Sequence, residues 1–171
     1  LTLTRAEALV AARPLTGDRL YCLLYLNELV VRMTATHDPN PELFAAYTEA
    51  LAGLAQDGTT LEPTLRRFEL ALLEALGLGL KLDGEADSDA DIVAERHYHY
   101  VLERGPLPRG PHTAGIAVQG ATLLALAGQA PLDDAALAEA KQLMRRILHH
   151  HLDGRPLASR KLFEAHVGGK P

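Results

Sequence analysis

Leu65, Phe68, Leu72 and Leu76 recur at helical spacing with Ala71 and Ala75 between them, so this stretch must bury one stripe of a helix. Pro63 fits the first turn, where its missing N–H costs nothing, and Gly77 supplies the left-handed residue that ends helices. Arg66 shares a face with Leu70 and Leu73, at i+4 and i+7, which sets a guanidinium beside apolar surface. A cation bordering an apolar groove suits an acidic, hydrophobic-ended peptide. The plainer reading pairs Arg66 and Arg67 with Glu62, Glu69 or another surface carboxylate, and the residues alone favour it.

Other helices follow from the same periodicity. Leu20, Leu23, Leu24, Leu26, Leu29, Val30 and Met33 cover most of the circumference of a helix over 19–34, which reads as the central, most buried one. Asp18 is its expected N-cap, and Glu28 and Arg32 pair at i, i+4. Pro39 and Pro41 interrupt the chain, and Pro41 opens a helix with Leu43, Phe44, Tyr47, Leu51 and Leu54 inward. A short helix spans 121–127. Asp133 caps a long one to about Leu152, with an inner stripe of Leu137, Ala140, Met144, Ile147, Leu148 and His151. Residues 158–166 add a last amphipathic piece, and 5–12 a first, behind a strand-like end at 1–4. The fold class is mainly α: a bundle of about six helices, with a small irregular β patch around 97–118. Residues 79–90 read as a polar loop.

Composition narrows the function. The chain has 171 residues, 5% aromatics and no tryptophan, with Ala and Leu dominant, which favours helices over strands. One cysteine, Cys22, excludes a disulfide framework and a four-cysteine zinc site, and makes a cytoplasmic setting the default. No apolar run approaches a membrane span. The net charge of −5 argues against a general nucleic-acid binder, but its distribution is uneven. Residues 37–65 hold five acids and no Lys or Arg, and 83–95 hold six acids and no base. From Lys141 onward seven bases face only Asp153 and Glu164, a basic lobe on an acidic body.

The search for catalytic chemistry finds no phosphate-binding Gly-rich loop, no nucleophile-elbow serine and no His-Glu-x-x-His. His149, His150 and His151 point three ways from a helix and cannot chelate one ion together. His97 and His99 share a strand face without an evident third ligand. The acids from Asp83 to Asp91 lack the EF-hand pattern, so a solvated loop is expected, with neither metal nor cofactor. Lys141, Arg145 and His149 form a basic stripe with Arg146 beside it, extended by Arg155, Arg160 and Lys161. Such a stripe is either a solvated face or a phosphate-contact surface.

Several segments, in order, resemble the C-terminal helical domain of the bacterial RecO recombination-mediator family. They are Leu23-Leu24-Tyr25-Leu26-Asn27-Glu28-Leu29, Pro41-Glu42-Leu43-Phe44-Ala45-Ala46-Tyr47 and Leu65-Arg66-Arg67-Phe68-Glu69-Leu70-Ala71-Leu72-Leu73. Gly120-Ala121-Thr122-Leu123-Leu124-Ala125-Leu126 and Gly154-Arg155-Pro156-Leu157-Ala158-Ser159-Arg160-Lys161-Leu162-Phe163 complete the series. The similarity covers nearly the whole chain.

The resemblance implies a non-enzymatic role in the RecF pathway of DNA repair and recombination, in a bacterial cytoplasm at the nucleoid. It implies binding to single- and double-stranded DNA, strand annealing, assembly with RecR, and capture of the acidic C-terminal tail of single-stranded DNA-binding protein. The first arginine of the Leu-Arg-Arg-Phe-Glu motif is the tail-gripping residue. That carries over to Arg66, with Arg67 its neighbour and Leu70 and Leu73 the expected docking edge. Lys141, Arg145, Arg146, Arg155, Arg160 and Lys161 are the expected DNA-contact set. The family's N-terminal OB-fold is missing, so 1–13 read as a remnant of that domain and its linker, and 14–171 as the helical domain. The cysteines with which some members hold zinc are absent, and Gln119 replaces a usual Ser or Thr helix cap. The chain begins with Leu and reads as a processed product or fragment. The competing reading is a helical protein-interaction scaffold that never touches DNA.

Overall fold

Helix α1 (Asp18–Met33) is followed by α2 (Pro41–Ala55) and α3 (Leu61–Ala75), three helices joined by short turns, in a computed structural model of the chain. The structure describes residues 14–56, 58, 60–110 and 114–168; the strand and helix expected over 1–12 lie outside them. Then come β1 (His97–Val101), β2 (Gly105–Pro108), β3 (Ile116–Gln119), α4 (Gly120–Leu126), α5 (Asp134–His151) and α6 (Ala158–Gly168). The architecture is mainly α, with six helices and one three-stranded antiparallel sheet ordered β2-β1-β3 among the described residues.

Local chemistry explains most boundaries. Asn40 accepts the Leu43 amide at 2.9 Å, and Pro41 occupies the first position of α2. Asp133 caps α5 through the Ala136 amide at 2.8 Å. Gly77 takes φ 71° behind α3, the conformation that closes a helix. At α1 the expected cap is corrected: Gly17 is the N-cap, and Asp18 is the first helical residue, where its carboxylate faces the positive end of the helix dipole. At α4 no side chain caps the helix; the first-turn amides of Gly120 and Ala121 donate to the Arg96 and Ala94 carbonyls at 2.8 and 2.9 Å. Glu139 of α5 accepts the Gln119 amide at 2.9 Å and the Thr122 hydroxyl. The close packing there also requires Gly120, whose Cβ, if present, would stand 2.0 Å from the Val93 carbonyl.

Burial is distributed differently from the periodicity. The core joins Phe68, Leu72 and Leu73 of α3 to Leu143, Met144, Ile147 and Leu148 of α5, Leu123 of α4, and Tyr98, Tyr100 and Val118 of the sheet. Helix α1 is not its centre. Only Leu26 and Leu29 of α1 are fully enclosed, while Leu20, Leu24 and Val31 are 39%, 37% and 77% exposed. Phe44, expected inward on α2, is 71% exposed and sits beside Val31 at a shallow cavity between α1 and α2. An apolar circumference measures what a helix can bury, whereas neighbours decide what it does bury. On α5, Leu143 was unmarked by the expected stripe but is fully buried, and Leu137 and His151 are only half-buried.

Residues 79–90 form a loop, as expected, with Asp83, Asp87 and Asp89 exposed, and specific contacts hold it in place. Gly84 and Asp91 form an isolated bridge, Glu85 is buried and accepts the Ser88 hydroxyl at 2.7 Å, and the Ala86 amide reaches the Pro106 carbonyl at 2.8 Å. Arg104 grips both Asp87 oxygens at 2.7 and 2.8 Å, and Lys81 pairs with Asp89. Asp87 therefore fastens this segment to the β1–β2 turn, while Glu85 and Asp89 make contacts within it.

Candidate functional site

Four helices converge on one groove of about 300 Å³. Tyr21, Cys22 and Tyr25 of α1 form one wall, and Leu61, Leu65 and Arg66 of α3 form the next. Lys141 and Arg145 of α5 and Arg160 and Phe163 of α6 complete it, and Asp18, Glu62, Glu69 and Ser159 also line it. Four cations thus meet an apolar lining from elements far apart in sequence. The edge-on ring contact of Tyr21 and Phe163, 5.7 Å between centroids, ties α1 to α6 at the mouth.

Arg66 is the innermost cation. Its side chain is only 7% exposed and donates to Glu69 Oε1 at 2.6 Å; Glu69 is 1% exposed. The Tyr25 hydroxyl donates to the same oxygen, also at 2.6 Å. Burial pushes the Glu69 carboxyl above the usual carboxylate range, against the opposing pull of Arg66 and the Tyr25 hydrogen bond. Burial, then the Glu69 charge, pushes the Tyr25 phenol well up, so it stays a donor. Arg66 Nε and Glu69 Oε2 are buried without a hydrogen-bond partner among the described residues. Such orphaned groups are costly in a fold and are common at functional sites.

The outer cations are more open. Lys141 reaches Glu62 at 2.5 Å in an exposed pair, Arg145 is exposed and Arg160 is half-buried. Burial, followed by the nearby Asp18 charge, raises the Cys22 thiol to about 11, so it remains an unreactive thiol in the apolar wall.

The remaining sequence candidates divide. Arg66, Lys141, Arg145 and Arg160 come together; Arg67, Arg146, Arg155 and Lys161 do not line the groove. Arg67 faces a separate cavity beside Gly53 and Thr64, 4.0 Å from Glu49. Leu73 is fully buried, and Leu70, half-buried like Leu61 and Leu65, does not line the groove. Leu61 and Leu65, five residues and one residue before Arg66, supply its apolar wall instead. Helical spacing assigns Leu73 to the Arg66 face correctly, but that face descends into the core toward the C-terminal end of α3. Spacing alone missed Tyr25, Glu69 and Phe163 as groove residues. Only Glu69 carried a local signal, as the carboxylate three residues after Arg66.

Outside the groove, His150 Nε2 meets Glu103 at 2.8 Å, linking α5 to the β1–β2 turn. His97 and His99 lie on the sheet face opposite buried Tyr98 and Tyr100. Among the described residues no three His, Cys, Asp or Glu side chains are grouped to hold a metal ion, and no helix is long and apolar enough to cross a membrane.

Residues 14–161 match the family described as Recombination protein O C terminal. A DNA repair protein RecO of Methylococcus capsulatus is 48% identical over 163 residues, covering 95% of this chain and 66% of that protein. Proteins of the same name from Aromatoleum aromaticum and Pseudomonas aeruginosa are 42% and 43% identical, each over 95% of this chain and 68% of its relative. The chain thus spans about two thirds of the length of these curated relatives.

Proposed function

This chain belongs to the RecO family of DNA repair proteins, and from that premise we propose that its groove binds the acidic C-terminal tail of single-stranded DNA-binding protein. The observation that carries the reading is the convergence of Arg66, Lys141, Arg145 and Arg160 on an apolar lining. A tail ending in an aromatic residue would lay its ring against Leu61, Leu65 and Phe163. Its carboxylates would meet the outer cations, where charge-assisted hydrogen bonds are strong. Arg66 lies deepest, fixed by Glu69 and Tyr25, and presents a preorganised positive end to the groove.

The protein acts in this proposal as a non-enzymatic recombination mediator of the RecF pathway. The tail recruits it to coated single strands, and assembly with RecR follows. The exposed bases Arg146 and Lys161, each next in sequence to a groove cation, and Arg155 would contact the phosphates of single- or double-stranded DNA during annealing. Titrating a labelled acidic, Phe-ended peptide against the wild type and the Arg145→Ala and Arg160→Ala variants tests the groove. The reading requires both substitutions to weaken binding, and unchanged affinities would refute it.

A further inference from the structure

Leu157 occupies the position before α6 where a capping side chain belongs, and an apolar residue accepts no amide hydrogen bond there. The cap comes instead from α1. Glu28 Oε1 accepts the Ala158 amide at 2.8 Å, and Oε2 accepts the Ser159 amide at 2.8 Å and the Ser159 hydroxyl at 2.6 Å. Arg32, one turn further along α1, pairs with Glu28 at 3.4 Å. It also donates to the carbonyls of Pro156 at 2.9 Å and Arg155 at 3.4 Å. One carboxylate and one guanidinium on α1 therefore satisfy the first amides of α6 and the carbonyls just before it.

This arrangement makes α6 dependent on a distant residue. With 11 residues, α6 is too short to be stable in water by itself. It packs chiefly on α1, and Leu157 is its buried anchor. It also carries Arg160 and Phe163, which form the fourth wall of the groove. Glu28 is absent from the groove lining, so it cannot itself meet a ligand there.

We propose that Glu28 is a positioning residue of the groove: by capping α6 from α1, it holds Arg160 and Phe163 where an acidic, apolar-ended peptide needs them. This rests on the peptide-binding reading above. The test is a fluorescence titration of a labelled acidic, Phe-ended peptide against the wild type, Glu28→Ala, Arg160→Ala/Phe163→Ala, and the triple variant. Amide hydrogen exchange of α6 is measured on each. Glu28→Ala should weaken binding about tenfold, the size expected from losing a helix cap, and should speed exchange in α6 while α3 and α5 stay protected. Because the effect runs through Arg160 and Phe163, adding Glu28→Ala to their double variant should cost nothing more. Glu28→Gln, which keeps an acceptor, should recover part of the affinity. Wild-type affinity in Glu28→Ala, or a full additional loss in the triple variant, would overturn the positioning role. Failure of the wild type to bind the peptide would remove the groove reading itself.

Discussion

The Tyr25 hydroxyl and the Glu69 carboxylate meet at 2.6 Å beneath the groove, and the same Glu69 oxygen holds Arg66. A residue of α1 thereby fixes the side chain through which α3 holds its buried cation. Glu69→Ala would leave Arg66 charged and unpaired, and such losses cost about 3–5 kcal/mol. Urea denaturation should show that drop, with Tyr25→Phe lower by about 1.5–3 kcal/mol for a lost hydrogen bond to a charged group. Equal stability of all three proteins would mean that the buried cluster is not fastened as described.

Leu73 separates core from docking edge. Since it is fully buried, Leu73→Ala should cost about 2–5 kcal/mol by denaturation. The fraction still folded should bind the acidic peptide with wild-type affinity. A selective loss of binding at unchanged stability would return Leu73 to the ligand surface.

The capping contact at α6 has a pH signature. Burial raises the Glu28 carboxyl, but the hydrogen bonds from Ser159, Ala158 and Arg32 outweigh it, and its folded pKa lies below the ordinary 4.5. A carboxylate depressed in the fold stabilises it above its unfolded pKa, and that contribution is lost as pH falls through the folded value. Exchange protection of the α6 amides should therefore fall as the pH is lowered below about 4.5, and Glu28→Gln should flatten that dependence. A profile identical in both proteins would place the transition on another group.

DNA contact separates a mediator from a scaffold that only binds proteins. Affinity for an oligonucleotide should fall with added salt, and replacing Arg146, Arg155 or Lys161 by Ala should lower the log–log slope by about 1 for each phosphate contact removed. No binding at low salt, or binding indifferent to salt, would favour the scaffold.

Periodicity and breakers made the helices legible. Asn40-Pro41, Asp133 and Gly77 mark boundaries through local hydrogen bonding and backbone conformation, which a short window of residues contains. The β patch expected around 97–118 is present as His97–Val101 paired with Ile116–Gln119, and Gly105–Pro108 also pairs with β1 despite its turn-forming residues. Tertiary pairing overrode propensity there. The site was legible only in part. Arg66 stood out as a cation among leucines; it pairs with Glu69, one of the partners its plainer reading offered, but the pair is buried and not on the surface, and Arg66 also lines the groove. Depth was not legible, which is why Leu73 changed role. Neither was the assembly of Tyr25, Arg145 and Phe163 around Arg66, since those neighbours come from three other helices. The cap of α6 was hidden for the same reason, because its donor and acceptor are separated by 130 residues.

The most direct test is to record amide chemical shifts of isotope-labelled protein while adding an unlabelled acidic, Phe-ended peptide. The groove account predicts perturbations centred on Tyr21, Leu65, Arg145, Arg160 and Phe163, the residues that surround Arg66. Perturbations confined to Arg67 and Gly53, or to Val31 and Phe44, with those five unmoved, would contradict it.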